Sequence, residues 1–188
     1  MDRFLSHVTN RLDAKGRVSI PASFRAVLAR DGFEGLYVHP SLDAPALDCG
    51  GNALLREIDG LLAGFSPYSE ERDVYATALL GTSETLRIDP EGRIVLPEAL
   101  RSLASIRDAV SFVGLGHKFQ LWEPERFQAH LAEARGKARA LKARLSEARG
   151  DTRGEVLGPG GSGPTRAQVP ARPAGTGDRT DDPGARER

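Results

Sequence analysis

The chain has 188 residues, of which 26 are basic and 26 acidic, so its formal net charge is zero. Its hydrophobic fraction of 39% is enough for a folded core. No stretch approaches the roughly 18 consecutive apolar residues of a membrane span, and a single cysteine excludes a disulfide framework or a multi-cysteine metal site. We therefore expect a folded, cytoplasmic protein that does not associate with a membrane.

Charge is unevenly distributed along the chain. Residues 1–30 contain six basic and two acidic side chains, residues 31–134 contain eight and seventeen, and residues 135–150 contain six and one. A local basic surface matters more for phosphate binding than the total charge. Zero net charge therefore does not exclude a nucleic-acid partner.

The first predicted element is a β-hairpin. Residues 9–12 and 17–20 are rich in β-prone side chains, and they flank the connection Asp-Ala-Lys-Gly at residues 13–16. Glycine at the end of that connection can take the positive φ of a tight turn. Pro21 then suits the first position of a helix, which Asp31-Gly32 is expected to end.

The remainder of the first half continues as short alternating elements. We expect strands at residues 36–38 and 46–49, followed by a helix that begins at Asn52. Residues 66–83 are interpreted as a connecting helix or linker. The first module is therefore expected to span residues 1–65.

The motif then recurs 76 positions later. The stretch LDAKGRVSIPASFR at residues 12–25 returns as IDPEGRIVLPEALR at residues 88–101, with Asp, Gly, Arg, Pro and the final Arg identical. Pro97 again opens a helix, strands are expected at 110–113 and 119–122, and a helix is expected to begin at Pro124. We infer a duplication whose second module spans residues 84–149.

The last helix and the tail have different compositions. Apolar residues in 124–149 recur in a heptad-like pattern that indicates either self-assembly or packing on the helix's own module, at Phe127, Leu131, Ala134, Ala138, Leu141 and Leu145. Residues 150–188 are rich in Gly, Pro, Arg and Asp and offer little to bury. We expect them to be a disordered tail.

The first loop has the chemistry of a DNA contact. Lys15 and Arg17 lie on either side of Gly16, so two cations project with little bulk between them. Arginine grips a guanine edge or a phosphate with two hydrogen bonds, whereas lysine acts as a mobile point charge. Asp13 is expected to cap the turn or to orient the neighbouring arginine.

The second loop has a weaker version of the same pattern. Asp89 and Gly92 are expected to shape the turn, and Pro21 and Pro97 to fix where the chain leaves each loop. Arg93 either contacts DNA or serves the geometry of the loop, because Glu91 replaces the second cation. The repeated Arg25 and Arg101, one turn into each helix, are expected to form ion pairs within their own modules, with contact to phosphate as the alternative.

Catalysis and cofactors are not expected. The chain lacks a phosphate-binding P-loop, a zinc-protease His-Glu-x-x-His and a Gly-x-Ser-x-Gly elbow. Its four histidines show no metal-ligand spacing. We therefore assign no catalytic residue, metal ligand or cofactor.

The duplicated Asp-x-Lys-Gly-Arg-x-x-x-Pro pattern resembles the MraZ family of transcriptional regulators, which has tandem SpoVT-AbrB domains. The likeness runs from about residue 3 to residue 145 and includes GLGHKFQLW at residues 114–122. It implies an α+β, β-rich fold, a swapped-hairpin β-barrel in which the two copies form a pseudo-dimer within one chain. Flanking helices and the disordered tail complete that expectation.

The resemblance also implies a partner and an assembly. A ring of eight or more subunits would bind direct repeats in double-stranded DNA upstream of the division and cell-wall gene cluster, usually as a repressor associated with the nucleoid. The DNA-binding residues that carry over are Asp13, Lys15, Gly16 and Arg17, with Arg93 in the second copy. Two alternatives stay open, an AbrB-like antitoxin that acts on a protein and an assembly or scaffold protein that does not bind DNA.

Overall fold

The computed structural model describes residues 3–154, with side chains as far as residue 146. Within that range the chain has an α+β fold of eight strands and five helices. The strands are β1 (His7–Arg11), β2 (Arg17–Ser19), β3 (Leu36–Pro40), β4 (Leu47–Gly50), β5 (Glu84–Leu86), β6 (Arg93–Val95), β7 (Ala109–Gly114) and β8 (Phe119–Trp122). The helices are α1 (Ala22–Asp31), α2 (Asn52–Ala63), α3 (Glu70–Leu79), α4 (Glu98–Leu103) and α5 (Pro124–Gly154).

Six strands form one antiparallel sheet in the order β1-β7-β8-β4-β3-β5. The order is symmetric about the central β8–β4 pair, since β1 of the first copy lies beside β7 of the second and β5 of the second lies beside β3 of the first. Thr9 is opposite Ser111 at one edge, and Tyr37 is opposite Thr85 near the other. The copies therefore exchange edge strands, which confirms the swapped arrangement within one chain.

The remaining strands, β2 and β6, pair only with each other and form a two-stranded antiparallel ribbon. The turn expected at residues 13–16 forms, but the prediction that the strands on either side of it pair with each other is wrong. β1 pairs with β7, and β2 pairs with β6. A tight turn needs only local chemistry, whereas strand pairing is decided by which apolar faces can be buried together. The strand pairing gives two separate sheets and does not by itself close a barrel.

One hydrophobic core is shared by both copies. Phe24 of α1 is fully buried, and its ring packs against those of Phe4, Phe112 and Phe119 with centroids 5.1–6.4 Å apart. Side chains from both strands of the ribbon and from one face of the six-stranded sheet complete this cluster. This cluster therefore cannot be divided into one core for each copy.

The opposite face of the six-stranded sheet is covered by helices. α2 and α3 pack over Tyr37, whose hydroxyl donates to the carbonyl of Leu79 at 2.8 Å. The first turn of α5 packs over Trp122 through Phe127. Because side chains alternate along a strand, the ribbon and these helices lie on opposite faces of the sheet.

The helix predicted from Pro124 extends to Gly154, beyond the boundary expected at residue 149. Phe127 is buried and Leu131 is half-buried against the chain's own module, while Leu141 and Leu145 are exposed. Residues 155–188, which hold most of the predicted tail, lie outside the described residues. None of the helices in the described range is long and apolar enough to cross a membrane.

Candidate nucleic-acid interface

The loop between β1 and β2 is a tight turn closed by backbone hydrogen bonds. The N–H of Asp13 donates to the carbonyl of Arg17 at 2.9 Å, and the N–H of Gly16 donates to the carbonyl of Asp13 at 2.9 Å. Gly16 has a φ of +74°, in the left-handed region that favours glycine. The turn therefore requires the glycine at this position.

The carboxylate of Asp13 both caps the turn and holds the arginine. Its Oδ1 accepts from the N–H groups of Lys15 and Arg17, each at 2.9 Å, and its Oδ2 accepts from Arg17 Nε at 2.6 Å. The hydrogen bond from the Arg17 backbone is the main cause that lowers the pKa of Asp13 below its ordinary value. The two roles expected as alternatives for Asp13 are thus filled together.

The loop between β5 and β6 repeats this geometry. Asp89 Oδ1 accepts from the N–H of Arg93, and its Oδ2 accepts from Arg93 Nε, both at 2.8 Å. Gly92 has a φ of +79°. The backbone hydrogen bond from Arg93 lowers the pKa of Asp89, and the side-chain hydrogen bond to Asp89 raises the pKa of Arg93.

The two arginines differ in the number of carboxylates that they already bind. Arg93 also donates from Nη2 to Glu91 at 3.0 Å, so it is bound to two carboxylates. Within the described residues, Arg17 is paired with Asp13 alone, through Nε, and its side chain is 36% exposed. Lys15 is exposed beside it. The first loop thus offers more unneutralised positive charge than the second.

The two loops sit at opposite ends of the ribbon and are tied to it by matching backbone bonds. The N–H of Leu96 donates to the carbonyl of Gly16 at 2.9 Å, and the N–H of Ile20 donates to that of Gly92 at 3.0 Å. Each loop is therefore fastened to the strand of the other copy.

Arg25 and Arg101 reach the loops of the opposite copies. A Cβ placed on Gly92 would overlap the guanidinium of Arg25, and one on Gly16 would lie 3.6 Å from Cζ of Arg101. Arg101 Nε donates to the carbonyl of Leu96 at 3.1 Å. The expected ion pairs within each module do not form among the described residues, because strand exchange places each helix beside the other copy's loop.

The ribbon has an inward and an outward face. Val18 and Ile94 point into the core and are each 1% exposed. The directly opposed pairs Arg17–Val95 and Ser19–Arg93 lie on the other face. Together with Lys15, these four residues form the surface that we call the ribbon face.

The structure brings the predicted site residues into this one region. Asp13, Lys15, Gly16 and Arg17 form the first loop, and Asp89, Gly92 and Arg93 form the second, at the other end of the ribbon. Pro21 and Pro97 stand one residue before α1 and α4, with φ near −55° (−53° and −57°).

Sequence reasoning missed the positions of Arg25 and Arg101. The repeat did mark both, since they end the duplicated motif at the same offset. Nothing in that pattern indicates that each helix will lie beside the opposite loop. The same exchange also hid the ribbon face, which joins residues from strands 76 positions apart.

The chain has close relatives over most of its length. It is 69% identical over 146 residues to the transcriptional regulator MraZ of Methylocella silvestris, covering 78% of this chain and 89% of the relative. The chain belongs to the MraZ family. The MraZ of Beijerinckia indica subsp. indica is 70% identical over 146 residues, with the same shares of 78% and 89%.

Family membership extends to more distant proteins. The MraZ of Rickettsia bellii is 40% identical over 135 residues, covering 71% of this chain and 90% of the relative. The family model described as "MraZ protein, putative antitoxin-like" matches residues 79–148, which contain the second copy of the motif. The MraZ resemblance expected from the duplicated loop is therefore confirmed.

Among the side chains of residues 3–146 no group of three or more His, Cys, Asp or Glu is arranged to hold a metal ion. The ribbon face is instead an assembly of cations, a hydroxyl and an apolar side chain on a rigid β-scaffold. Such a surface is suited to binding an anionic polymer through charge and hydrogen bonds.

Proposed function

We propose that this chain is a transcriptional regulator that binds double-stranded DNA through the ribbon face and its two flanking loops. The observation that carries the proposal is the pair of half-buried arginines, Arg17 and Arg93, each oriented by its own aspartate on one two-stranded ribbon. The relatives in Methylocella silvestris and Beijerinckia indica are named transcriptional regulators, which supports the same function.

The size and chemistry of the ribbon fit a DNA groove. The major groove admits a two-stranded β-ribbon, and arginine there binds guanine or phosphate through two N–H groups. Fixing Nε of Arg17 on Asp13 leaves its Nη groups for such a contact. A guanidinium held in place before binding loses less side-chain entropy than a free one.

The two ends of the ribbon contribute unequally. Arg17 and Lys15 supply two cations at the first loop, whereas Glu91 neutralises much of the charge of Arg93 at the second. Arg25 and Arg101 add positive charge beside the two loops. We infer that the first loop provides most of the affinity.

Several weak sites acting together would give useful affinity to a neutral chain. We propose that the protein assembles into a ring of eight or more copies and binds direct repeats upstream of the division and cell-wall gene cluster as a repressor. Linked copies raise the effective concentration of each loop near its own repeat. Such a protein would act in the cytoplasm at the nucleoid.

Substitution of the loop arginines tests the proposal. Fragments of the source genome retained by the wild-type chain are sequenced, and their affinities for the variants Arg17→Ala, Arg93→Ala and Arg56→Ala are measured. We expect Arg17→Ala to lose about fivefold or more in affinity, because a hydrogen-bonded arginine contact contributes about 1–3 kcal/mol, and Arg93→Ala to lose less. Arg56 is the matched control, since it is an exposed arginine of α2 that lies outside the ribbon face and pairs with Asp31.

Light scattering and salt dependence separate this proposal from its rivals. We expect Arg17→Ala to keep the wild-type assembly and the logarithm of affinity to fall steeply with the logarithm of salt concentration. Loss of the assembly together with loss of retention would favour a scaffold protein. Retention of a partner protein with no enriched DNA would favour an antitoxin-like function and overturn the proposal.

A further inference from the structure

The ribbon face contains one large apolar side chain among polar ones. Val95 is 55% exposed, and its direct cross-strand partner is Arg17. Its neighbours in sequence, Ile94 and Leu96, are each 1% exposed in the core. Val95 therefore lies outside the shared core, on the same face as Arg17.

Strand geometry does not require a valine at this place. Ser19 is the equivalent residue of the first copy, 76 positions earlier, and it occupies the same outward position on β2. The inward positions are filled by the similar residues Val18 and Ile94, whereas the outward ones differ in chemistry. The shared core therefore does not determine the difference between Ser19 and Val95.

We propose that Val95 is a specificity-determining residue that packs against the C5-methyl group of a thymine in the major groove. This inference rests on the proposed function, since it requires DNA on the ribbon face. Thymine alone among the four bases presents a methyl group at the major-groove edge. The directly opposed Arg17 places this thymine next to the base or phosphate that the arginine binds.

The cross-strand pairs make the two ends of the ribbon face chemically different. One end presents Arg17 beside an apolar side chain, and the other presents Arg93 beside the hydroxyl of Ser19. Ser19 accepts or donates a hydrogen bond at many base edges, so it discriminates less than a methyl contact. A single chain therefore reads a site whose two halves differ.

Thymine-to-uracil substitution tests the inference directly, because uracil lacks only the methyl group. The probe is a duplex selected by the wild-type chain from a random-sequence pool, with each thymine replaced in turn by uracil. We expect one or two positions at which the wild type loses about fourfold in affinity, the effect of burying one methyl group. Val95→Ala and Val95→Ser should weaken binding to the unmodified duplex by at least this factor and be insensitive to uracil at those positions.

Ser19→Ala is the matched control and should respond to uracil as the wild type does. Val95 is exposed, so its variants should unfold at nearly the wild-type urea concentration, which checks that the fold is intact. If the wild type selects a duplex but no thymine position depends on residue 95, the Val95 assignment is wrong and the proposed function stands. If the pool yields no enriched duplex, the proposed function fails and the inference fails with it.

Discussion

At the residue scale, the aspartate of each loop decides where the arginine is held. Asp13 engages the backbone and side chain of Arg17, and Asp89 does the same for Arg93. Both carboxylates have a lowered pKa. Their hydrogen bonds therefore stabilise the fold above the ordinary aspartate pKa of about 3.9, and this contribution is lost as pH falls through the lowered folded values.

The order of causes at Asp13 gives a testable result. The hydrogen bond from the backbone N–H of residue 17 is the largest single cause that lowers its pKa, and this N–H survives in Arg17→Ala. We expect the Asp13 carboxyl in that variant to titrate above its wild-type midpoint but still below about 3.9, measured by carboxyl-carbon NMR. A full return to the ordinary value would show that the guanidinium is the main cause.

Gly92 and Arg25 should be energetically coupled across the two copies. Gly92→Ala places a methyl group at a φ of +79° and against the Arg25 guanidinium. We expect a loss of about 1–2 kcal/mol in the free energy of unfolding from the backbone alone, and a further loss from displacing the arginine. In an Arg25→Ala background only the backbone loss should remain, as measured by urea unfolding.

Gly16→Ala is the control for the coupling between Gly92 and Arg25. Its added Cβ would lie 3.2 Å from the carbonyl oxygen of Leu96 and near Arg101, not Arg25. Its cost should be the same with or without Arg25, because sites without shared contacts have additive effects. Equal coupling of both glycines to Arg25 would contradict the arrangement described.

At the element scale, α1 provides the cap of α2. The N-cap position of α2 is Gly51, which has no side chain to accept a hydrogen bond. Asp31, the last residue of α1, instead accepts from the N–H of Ala53 at 3.2 Å, and its side chain is only 14% exposed. A carboxylate at this end of a helix also interacts favourably with the helix dipole.

Asp31→Ala should therefore lower the free energy of unfolding by about 0.5–2 kcal/mol, the usual effect of losing a cap. Asp31→Asn keeps an acceptor and should lose less. Asp59, which is exposed on α2, is the control. Asp59→Ala should change the free energy of unfolding by less than about 0.5 kcal/mol. Chemical denaturation of the three variants measures these differences, and equal effects at Asp31 and Asp59 would exclude the capping role.

Most elements were predictable because their signals are local. The strands at 36–40, 109–114 and 119–122 lie where turn residues and apolar spacing indicated. The same is true of the helices that follow Pro21 and Pro97 and of the helix that begins at Pro124. The partner of β2 was not predictable, because a tight turn does not determine which strand will lie beside β2. β6 became that partner because Val18 and Ile94 are buried in the same core.

At the scale of the whole molecule, the two copies form a single folding unit within the described residues. Val18 of the first copy and Ile94 of the second belong to one cluster, and each copy supplies an edge strand to the other. The residues of the two loops that form the candidate site were readable from the duplicated motif. Its assembly was not, since Arg25 reaches Gly92 and Arg17 faces Val95 only after strand exchange.

Because the two copies share one core, we expect the protein to unfold in a single cooperative transition. Cys49, the chain's one cysteine, is fully buried in β4 of the first copy, and burial raises the pKa of its thiol. Trp122, the one tryptophan, is buried in β8 of the second. In urea, the loss of protection of Cys49 from thiol labelling and the change in Trp122 fluorescence should share one midpoint.

Ile94→Val extends this test across the molecule. The substitution lies in the second copy and should cost about 0.5–1.5 kcal/mol. Because the core is shared, it should lower the Cys49 midpoint in the first copy by the same amount as the Trp122 midpoint. A shift confined to Trp122 would mean that the copies unfold separately.

The exchange of strands within one polypeptide also has an evolutionary consequence. In a dimer of identical chains every substitution appears twice, so the two halves of its reading surface stay equal and its target must be palindromic. Here the halves are encoded separately, and Lys15 against Glu91 or Ser19 against Val95 can change independently while Val18 and Ile94 keep the common core. Fusion of the two halves thus lets the two ends of the proposed DNA-binding surface diverge in sequence while the shared core keeps the paired fold stable.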